Sequence, residues 1–287
     1  MVTSPRPKVL IVGASGQVGF QLLADLYKQN KYELSGTYNS YNISSTISYN
    51  KHHITLHKDL ILEKDYFDVI YIPAYPTNVD LCETNKTADI FNYQLKLFLQ
   101  YQKNAKIIFF STDYIFDDGI RNEIDFPYPL NRYGLCKLQM EHYILANHKD
   151  SLIIRTSGVY GAELQRKNFV YRIISSYESQ VPLDQYNCPT YCPDLVSKTI
   201  KLVEENSSGI YHIAGPDYIN RYVFAKKICR VFDIDDEKIW GIKTFEQEAK
   251  RPSVNLVSIK NLQDKTINVD DGLCLMRDQF NPSVIFR

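Results

Sequence analysis

The sequence predicts an α/β protein: a Rossmann-type, doubly wound parallel sheet with a smaller, interleaved C-terminal substrate lobe. Three observations carry that expectation. Short apolar runs rich in β-branched residues alternate with helix-spaced segments from Lys8 to Thr156. A loop patterned with glycine joins the first such run to the first helical segment. Beyond Gly158 the alternation weakens. Strands and helices alternating at this spacing imply βαβ units, whose parallel strands are covered on both faces and therefore apolar throughout.

The elements follow in order. Residues 8–12 (KVLIV) read as the first buried strand. Residues 20–30 (FQLLADLYKQN) read as the first helix, with Phe20, Leu23 and Leu26 on one face. Residues 32–37 (YELSGT), 53–56 (HITL) and 67–72 (FDVIYI) read as strands two to four. A helix is expected over 88–101, strand five over 106–111 (KIIFFS), a long helix over 132–146 and strand six over 152–156 (LIIRT). Residues 159–190 are polar, with VPLDQYNCPT as a loop, and the segment after 214 offers only short elements. Between them a helix is expected over 193–204 and one more core strand over 209–213 (GIYHI). The expected division is a nucleotide-binding domain over 1–158, with 190–214 returning to it, and a substrate lobe over 159–189 and 215–287.

Composition narrows the class of partner. The 287 residues hold 33 Lys+Arg against 33 Asp+Glu, so no basic surface for nucleic acid or an anionic membrane is expected. No run approaches the ~18 apolar residues that a membrane-spanning helix needs. The first residues lack the apolar core of a signal peptide, so a cytoplasmic location is expected. Six cysteines (Cys82, Cys136, Cys188, Cys192, Cys229, Cys274) are scattered and six histidines form no ligand-spaced cluster. Reduced, mostly buried thiols and no metal site follow. Oligomeric state leaves no mark in the sequence, and a homodimer is compatible with it.

Gly13-Ala14-Ser15-Gly16-Gln17-Val18-Gly19 is G-x-x-G-x-x-G between a strand and a helix. Gly13 permits a tight turn, Gly16 a close backbone approach to a pyrophosphate, and Gly19 close packing of helix on strand. Phosphates then meet the free amides at the helix N-terminus. The loop, with Ser15, Gln17 and Val18 beside its glycines, is the expected dinucleotide cradle. An NAD-preferring site puts Asp or Glu at the end of strand two to hold the ribose 2′-hydroxyl. Here that segment is Ser35-Gly36-Thr37-Tyr38-Asn39-Ser40, without a carboxylate. Donors at Thr37, Asn39 and Ser40 suit a 2′-phosphate, so NADPH is expected over NADH. Asp59 and Leu60, after strand three, are expected at the adenine end, with helix capping the alternative for Asp59.

Tyr133-Gly134-Leu135-Cys136-Lys137 is Y-x-x-x-K on a helix, a spacing that puts both side chains on one face. An ammonium beside the phenol is expected to lower its pKa from ~10, so that Tyr133 exchanges a proton with a carbonyl oxygen as hydride arrives at carbon. Lys137 can also hold ribose hydroxyls. Ser111-Thr112-Asp113 ends strand five, where α/β sheets place their sites, and the Thr112 hydroxyl can hold the same oxygen.

Motifs with these residues run through nearly the whole chain in one order: VGASGQVG, STDYIF, PLNRYGLCK, IIRTSGVYG, DQYNCPTY followed by DL, GIYHIAG and RPSVNLVS. With them the chain resembles the extended short-chain dehydrogenases and, within these, the dTDP-4-dehydrorhamnose reductases. The resemblance implies Thr112, Tyr133 and Lys137 as a catalytic trio, Asp113 and Tyr114 as sugar contacts, and Ala74 and Asn92 near the cofactor. It implies NADPH-dependent reduction of the C4 keto group of a UDP- or dTDP-linked 4-keto-6-deoxyhexose, giving nucleotide-linked L-rhamnose. One departure is Gly158, where the family often carries a tryptophan that would line the sugar pocket. Arg172 and Arg251 are expected on the substrate diphosphate.

Three relatives within this resemblance give other readings. Nucleotide-sugar dehydratases carry Glu where this chain has Tyr114, which argues against dehydration. In bifunctional 3,5-epimerase/4-reductases of the UDP-rhamnose type, an acid–base pair flanks the sugar ring. Asp113 with Lys167 or Arg172 are the candidates here, and contact with the diphosphate is the simpler role for both cations. The β subunit of methionine adenosyltransferase resembles the same family, so a non-catalytic NADP-binding regulatory subunit is the alternative from a different class.

Overall fold

The computed structural model describes residues 5–39, 41–43, 54–58, 66–244, 247–260 and 265–279. In chain order the first half contains β1 (Lys8–Ile11), α1 (Gln17–Gln29), β2 (Glu33–Tyr38), β3 (Ile54–Lys58), β4 (Val69–Ile72), α2 (Val79–Asn85), α3 (Thr87–Leu99), β5 (Lys106–Thr112), β6 (Gly119–Arg121) and α4 (Arg132–Asn147). The second half contains β7 (Leu152–Thr156), β8 (Val159–Tyr160), α5 (Phe169–Ser175), β9 (Ser179–Pro182), β10 (Tyr186–Asn187), β11 (Thr190–Tyr191), α6 (Cys192–Glu204), β12 (Gly209–His212), β13 (Ile219–Asn220), α7 (Arg221–Val231), β14 (Ile239–Ile242), β15 (Val254–Leu256) and α8 (Val269–Asp278).

Seven parallel strands form the central sheet in the order β3-β2-β1-β4-β5-β7-β12. The expected doubly wound sheet is therefore present. The chain runs outward from β1 through β2 to β3, then returns to the other side of β1 as β4. That reversal opens a crevice at the carboxyl ends of β1 and β4, where ligands bind in open α/β sheets. Alternation along each strand supplies both faces. Val9, Ile11, Ile108, Phe110 and Ile154 pack with α1 and α6 on one side. Leu10, Val12, Ile70, Ile107, Phe109 and Ile153 pack with α3 and α4 on the other. Full burial stabilises each such side chain by about 1.5–3 kcal/mol.

The second half departs from the expectation of a loop and short elements. Residues 159–190 contain α5 and four short strands, and the tail contains helices α7 and α8, eleven and ten residues long. These strands are two to four residues long and pair singly, β8 with β11 and β9 with β14, too short for periodicity to register. Helix α5 starts where the Asn168 side chain accepts from the Val170 and Tyr171 amides. Tyr160, Val170, Tyr171, Phe224, Ile228, Leu273 and Met276 join in a hydrophobic cluster separate from the two sheet faces. A smaller one, Ile115, Phe116, Leu138, Val254 and Leu256, straps the tail over the turn that follows β5, where β15 pairs with β6. Five of the six cysteines are buried, all six are unpaired, and no described helix is long and apolar enough to cross a membrane.

Candidate active site

The glycine loop closes the crevice from one side. Gly13 takes φ +88°, and a Cβ there would lie 2.6 Å from that of Ala74. The Ala74 amide donates to the Val12 carbonyl at 3.1 Å, which pins the end of β4 against the loop. A Cβ on Gly19 would lie 2.1 Å from the Gly13 carbonyl oxygen, so α1 packs as closely as its sequence permits. Gly16 is exposed and a Cβ on it would meet only the Gly13 oxygen, at 3.4 Å. It caps α1 without a side-chain bond, and the first turn holds no acidic residue. Open backbone amides at that end suit an anion.

Side chains expected on the cofactor divide. Thr37 is buried, and its hydroxyl oxygen accepts from the Gly13 amide at 2.9 Å. It braces the loop from β2, and the hydroxyl keeps its own proton to donate. Asn39 is exposed at the end of β2. The Gln17 side chain donates to the Gly161 carbonyl at 3.2 Å, the Ser15 carbonyl accepts from Gln165 at 3.4 Å, and Val18 is half-buried. Ser40, Asp59 and Leu60 lie outside the described residues.

Across the crevice, β5 and α4 bring the expected trio together. Asn131 caps α4, accepting from the Gly134 amide at 2.8 Å. A Cβ on Gly134 would lie 2.0 Å from the Tyr114 carbonyl oxygen, which locks the helix against the turn after β5. Thr112 ends β5 with its hydroxyl donating to Asp113 at 3.0 Å and accepting from the Tyr114 amide at 3.2 Å. The Tyr133 and Tyr114 rings meet edge to face at 6.0 Å. Burial holds the Tyr133 phenol above its ordinary range, with the Asp113 charge adding to the effect and a bond to Thr112 opposing it. The shift runs opposite to the lowering expected from its lysine neighbour. The Lys137 ammonium instead donates to the Phe110 carbonyl at 2.6 Å and lies 3.9 Å from the centre of the Tyr75 ring. Burial pushes its pKa down to about 7.

Asp113 is buried and accepts from Thr112 and, at 2.5 Å, from the Ser157 hydroxyl. Burial raises its carboxyl to about 6, against the pull of those two bonds. Lys167 is exposed in the turn before α5, where Glu163 accepts from its backbone amide. Among the described residues no hydrogen bond or ion pair joins it to Asp113. Asn92 is buried, bridging the Tyr75 hydroxyl and the Cys136 carbonyl.

Gly158 sits at φ +49°, and a Cβ there would lie 2.5 Å from the Asn187 amide nitrogen. The Asn187 carbonyl oxygen is buried without a partner among the described residues. Asn187 thus occupies the room that a large side chain at 158 would need. Arg251 forms a two-pronged ion pair with Asp80, at 3.0 and 2.6 Å, and its charge also reaches Tyr114. Arg172 and Arg221 share one aromatic neighbour. Their guanidinium groups lie 5.6 and 5.2 Å from the Phe169 ring, and burial together with the Arg221 charge lowers the Arg172 pKa. Reasoning from sequence missed Tyr75, Ser157, Asn187 and Arg221. Ser157 stood inside the IIRTSGVYG run and Asn187 inside DQYNCPTY; no motif held the other two.

The RmlD substrate binding domain family matches residues 7–271. A spore coat polysaccharide biosynthesis protein of Bacillus subtilis is 30% identical over 274 residues, 91% of this chain and 92% of that protein. A dTDP-4-dehydrorhamnose reductase of Aggregatibacter actinomycetemcomitans is 29% identical over 238 residues, 76% of each. The Xenopus laevis methionine adenosyltransferase 2 subunit beta is 23% identical over 259 residues, 81% of this chain and 74% of that protein. The crystal structure of dTDP-4-dehydrorhamnose reductase from Bacillus anthracis in complex with NADP superposes with a TM-score of 0.75 at 25% identity, covering 96% of this chain and 100% of that one. With its fold, its glycine loop and its Thr–Tyr–Lys trio in place, the chain belongs to the RmlD substrate binding domain family.

Proposed function

We propose that the chain reduces the C4 keto group of a UDP- or dTDP-linked 4-keto-6-deoxyhexose with NADPH, giving nucleotide-linked L-rhamnose. The observation that carries this reading is the convergence of Thr112, protonated Tyr133 and Lys137 at the crevice beside an uncapped glycine loop. The loop fits a dinucleotide: it is tight where Gly13 and Gly19 need it and open at Gly16. Gly13 to Gly19, Ala74 and Lys137 would hold the cofactor, which supplies hydride when bound. Asn39, with no carboxylate near it in sequence, suits a 2′-phosphate.

The remaining steps belong to the chain. Thr112 orients the carbonyl oxygen, Tyr133 gives it a proton, and the Lys137 ammonium offsets the negative charge left on Tyr133. Tyr114 and Asn187 line the sugar, and the paired cations Arg172 and Arg221 take the diphosphate. Residues 1–158 with 190–214 form the cofactor domain, and residues 159–189 with 215–287 the substrate lobe. Asp113, whose carboxyl burial raises to about 6, suits proton transfer at C3 or C5.

The test supplies NADPH with UDP- and dTDP-4-keto-6-deoxyglucose, with and without a separate 3,5-epimerase, and identifies the sugar by NMR. Rhamnose formed only with the epimerase marks a plain reductase. Rhamnose formed unaided adds epimerisation to this chain. No NADPH oxidation under any condition, with a larger enzyme co-purifying, marks the regulatory-subunit alternative.

A further inference from the structure

Lys137 is a buried cation with no carboxylate in ion-pair contact among the described residues. Glu141, one turn along α4, is the carboxylate whose charge reaches it, and Arg155 occupies both Glu141 oxygens. The Phe110 carbonyl takes one of the three ammonium N–H groups. What lies over the rest of the charge is aromatic: the Tyr75 ring at 3.9 Å and the Phe109 ring at 4.5 Å. Both are well within the ~6 Å at which a ring face attracts a cation, an attraction that strengthens when the pair is desolvated.

Tyr75 is itself fixed. Its hydroxyl donates to the Asn92 side chain at 2.8 Å, and Asn92 in turn donates to the Cys136 carbonyl on α4 at 2.8 Å. Its ring meets Phe91, Phe109 and Tyr133 edge to face at 5.2, 6.3 and 5.6 Å. The ring thus touches both members of the Y-x-x-x-K pair, from a strand end on the far side of β5.

We infer that Tyr75 is a positioning residue for the proposed reaction: its ring face holds Lys137 in place and keeps it charged. This rests on the reductase reading only for its effect on turnover; the effect on Lys137 stands apart from it. The groups facing Lys137 are Glu141 on its own helix, Phe109 and the Phe110 carbonyl on β5, and Tyr75 after β4, whose ring also meets Tyr133. Arg155 on β7 and Asp113 after β5 stand one group further away.

The experiment titrates the Lys137 ammonium by NMR on ¹³C-lysine-labelled full-length protein, the signal being assigned by its loss in Lys137→Met. Tyr75→Phe keeps the ring and is expected to leave the midpoint within a few tenths of a unit. Tyr75→Leu removes the ring and is expected to lower the midpoint by about one unit. Pentafluorophenylalanine at position 75 keeps the shape, reverses the charge of the ring face and is expected to lower it at least as far, so the test survives if Tyr75→Leu fails to fold. Equal midpoints in Tyr75→Phe and the fluorinated protein overturn the inference, whether both stay at the wild-type value or both fall. In the reductase assay the alkaline limb of kcat should move with the midpoint. A wild type with no turnover but a ring-dependent midpoint refutes the reductase reading and leaves the role of Tyr75 standing.

Discussion

Two buried cations lie close together beneath the crevice, and the protein treats them oppositely. Arg155 on β7 is 3% exposed and meets Glu141, 1% exposed, through three hydrogen bonds of 2.7 to 3.2 Å. The Phe116 ring and His212 close the other side. Lys137 on α4 is equally buried but has one carbonyl and ring faces, and its acidity shifts toward neutrality. A cation that serves the fold is neutralised in place. The cation proposed to serve the chemistry is left with a charge that no carboxylate takes up among the described residues.

That contrast breaks first at Glu141. Glu141→Ala leaves Arg155 buried and unpaired, and we expect a loss of about 3–5 kcal/mol in urea unfolding. Lys137→Met should do the reverse, abolishing turnover while raising stability at pH 6 by on the order of 2–4 kcal/mol. Between about 7 and 10.5 the unfolded chain still holds the proton that folded Lys137 has lost, so wild-type stability rises with pH across that window. The gain from Lys137→Met must therefore shrink from pH 7 to pH 10. A gain that does not vary with pH would show that Lys137 is not the group being relieved.

Asp113 offers the acidic counterpart. Between 3.8 and about 6 the folded chain holds a proton that unfolded Asp113 has lost, so stability falls as pH rises through that range. Asp113→Asn should be more stabilising at pH 7 than at pH 4, by about 1–3 kcal/mol, in urea unfolding at the two values. The smallest effect is expected at the loop. Gly16→Ala meets only ordinary contact in the fold, so the melting temperature should hold while the NADPH dissociation constant rises about tenfold in fluorescence titration, a change of ~1.4 kcal/mol.

The legibility of the sequence follows the same division. The central strands are buried on both faces, so KVLIV, KIIFFS and LIIRT stood out as continuous apolar runs. Their order placed the glycine loop, Thr112, Tyr133 and Lys137 on one edge. The second half depends on two-residue strand pairs and caps such as Asn168, which carry no periodic signal. Side-chain partners were hidden for a related reason. Tyr75 reaches Lys137 across 62 residues of sequence and Asp80 reaches Arg251 across 171. The opposite direction of the Tyr133 shift came from burial beside Asp113, which a motif spacing does not disclose.

The most direct test of the trio is Tyr133→Phe assayed with NADPH and the nucleotide-linked 4-keto-6-deoxyhexose, alongside NADPH binding. Loss of the phenolic proton should lower kcat by at least about 100-fold and leave the NADPH dissociation constant within about threefold. A Tyr133→Phe protein that turns over as fast as the wild type would contradict the assignment of Tyr133 as the proton donor.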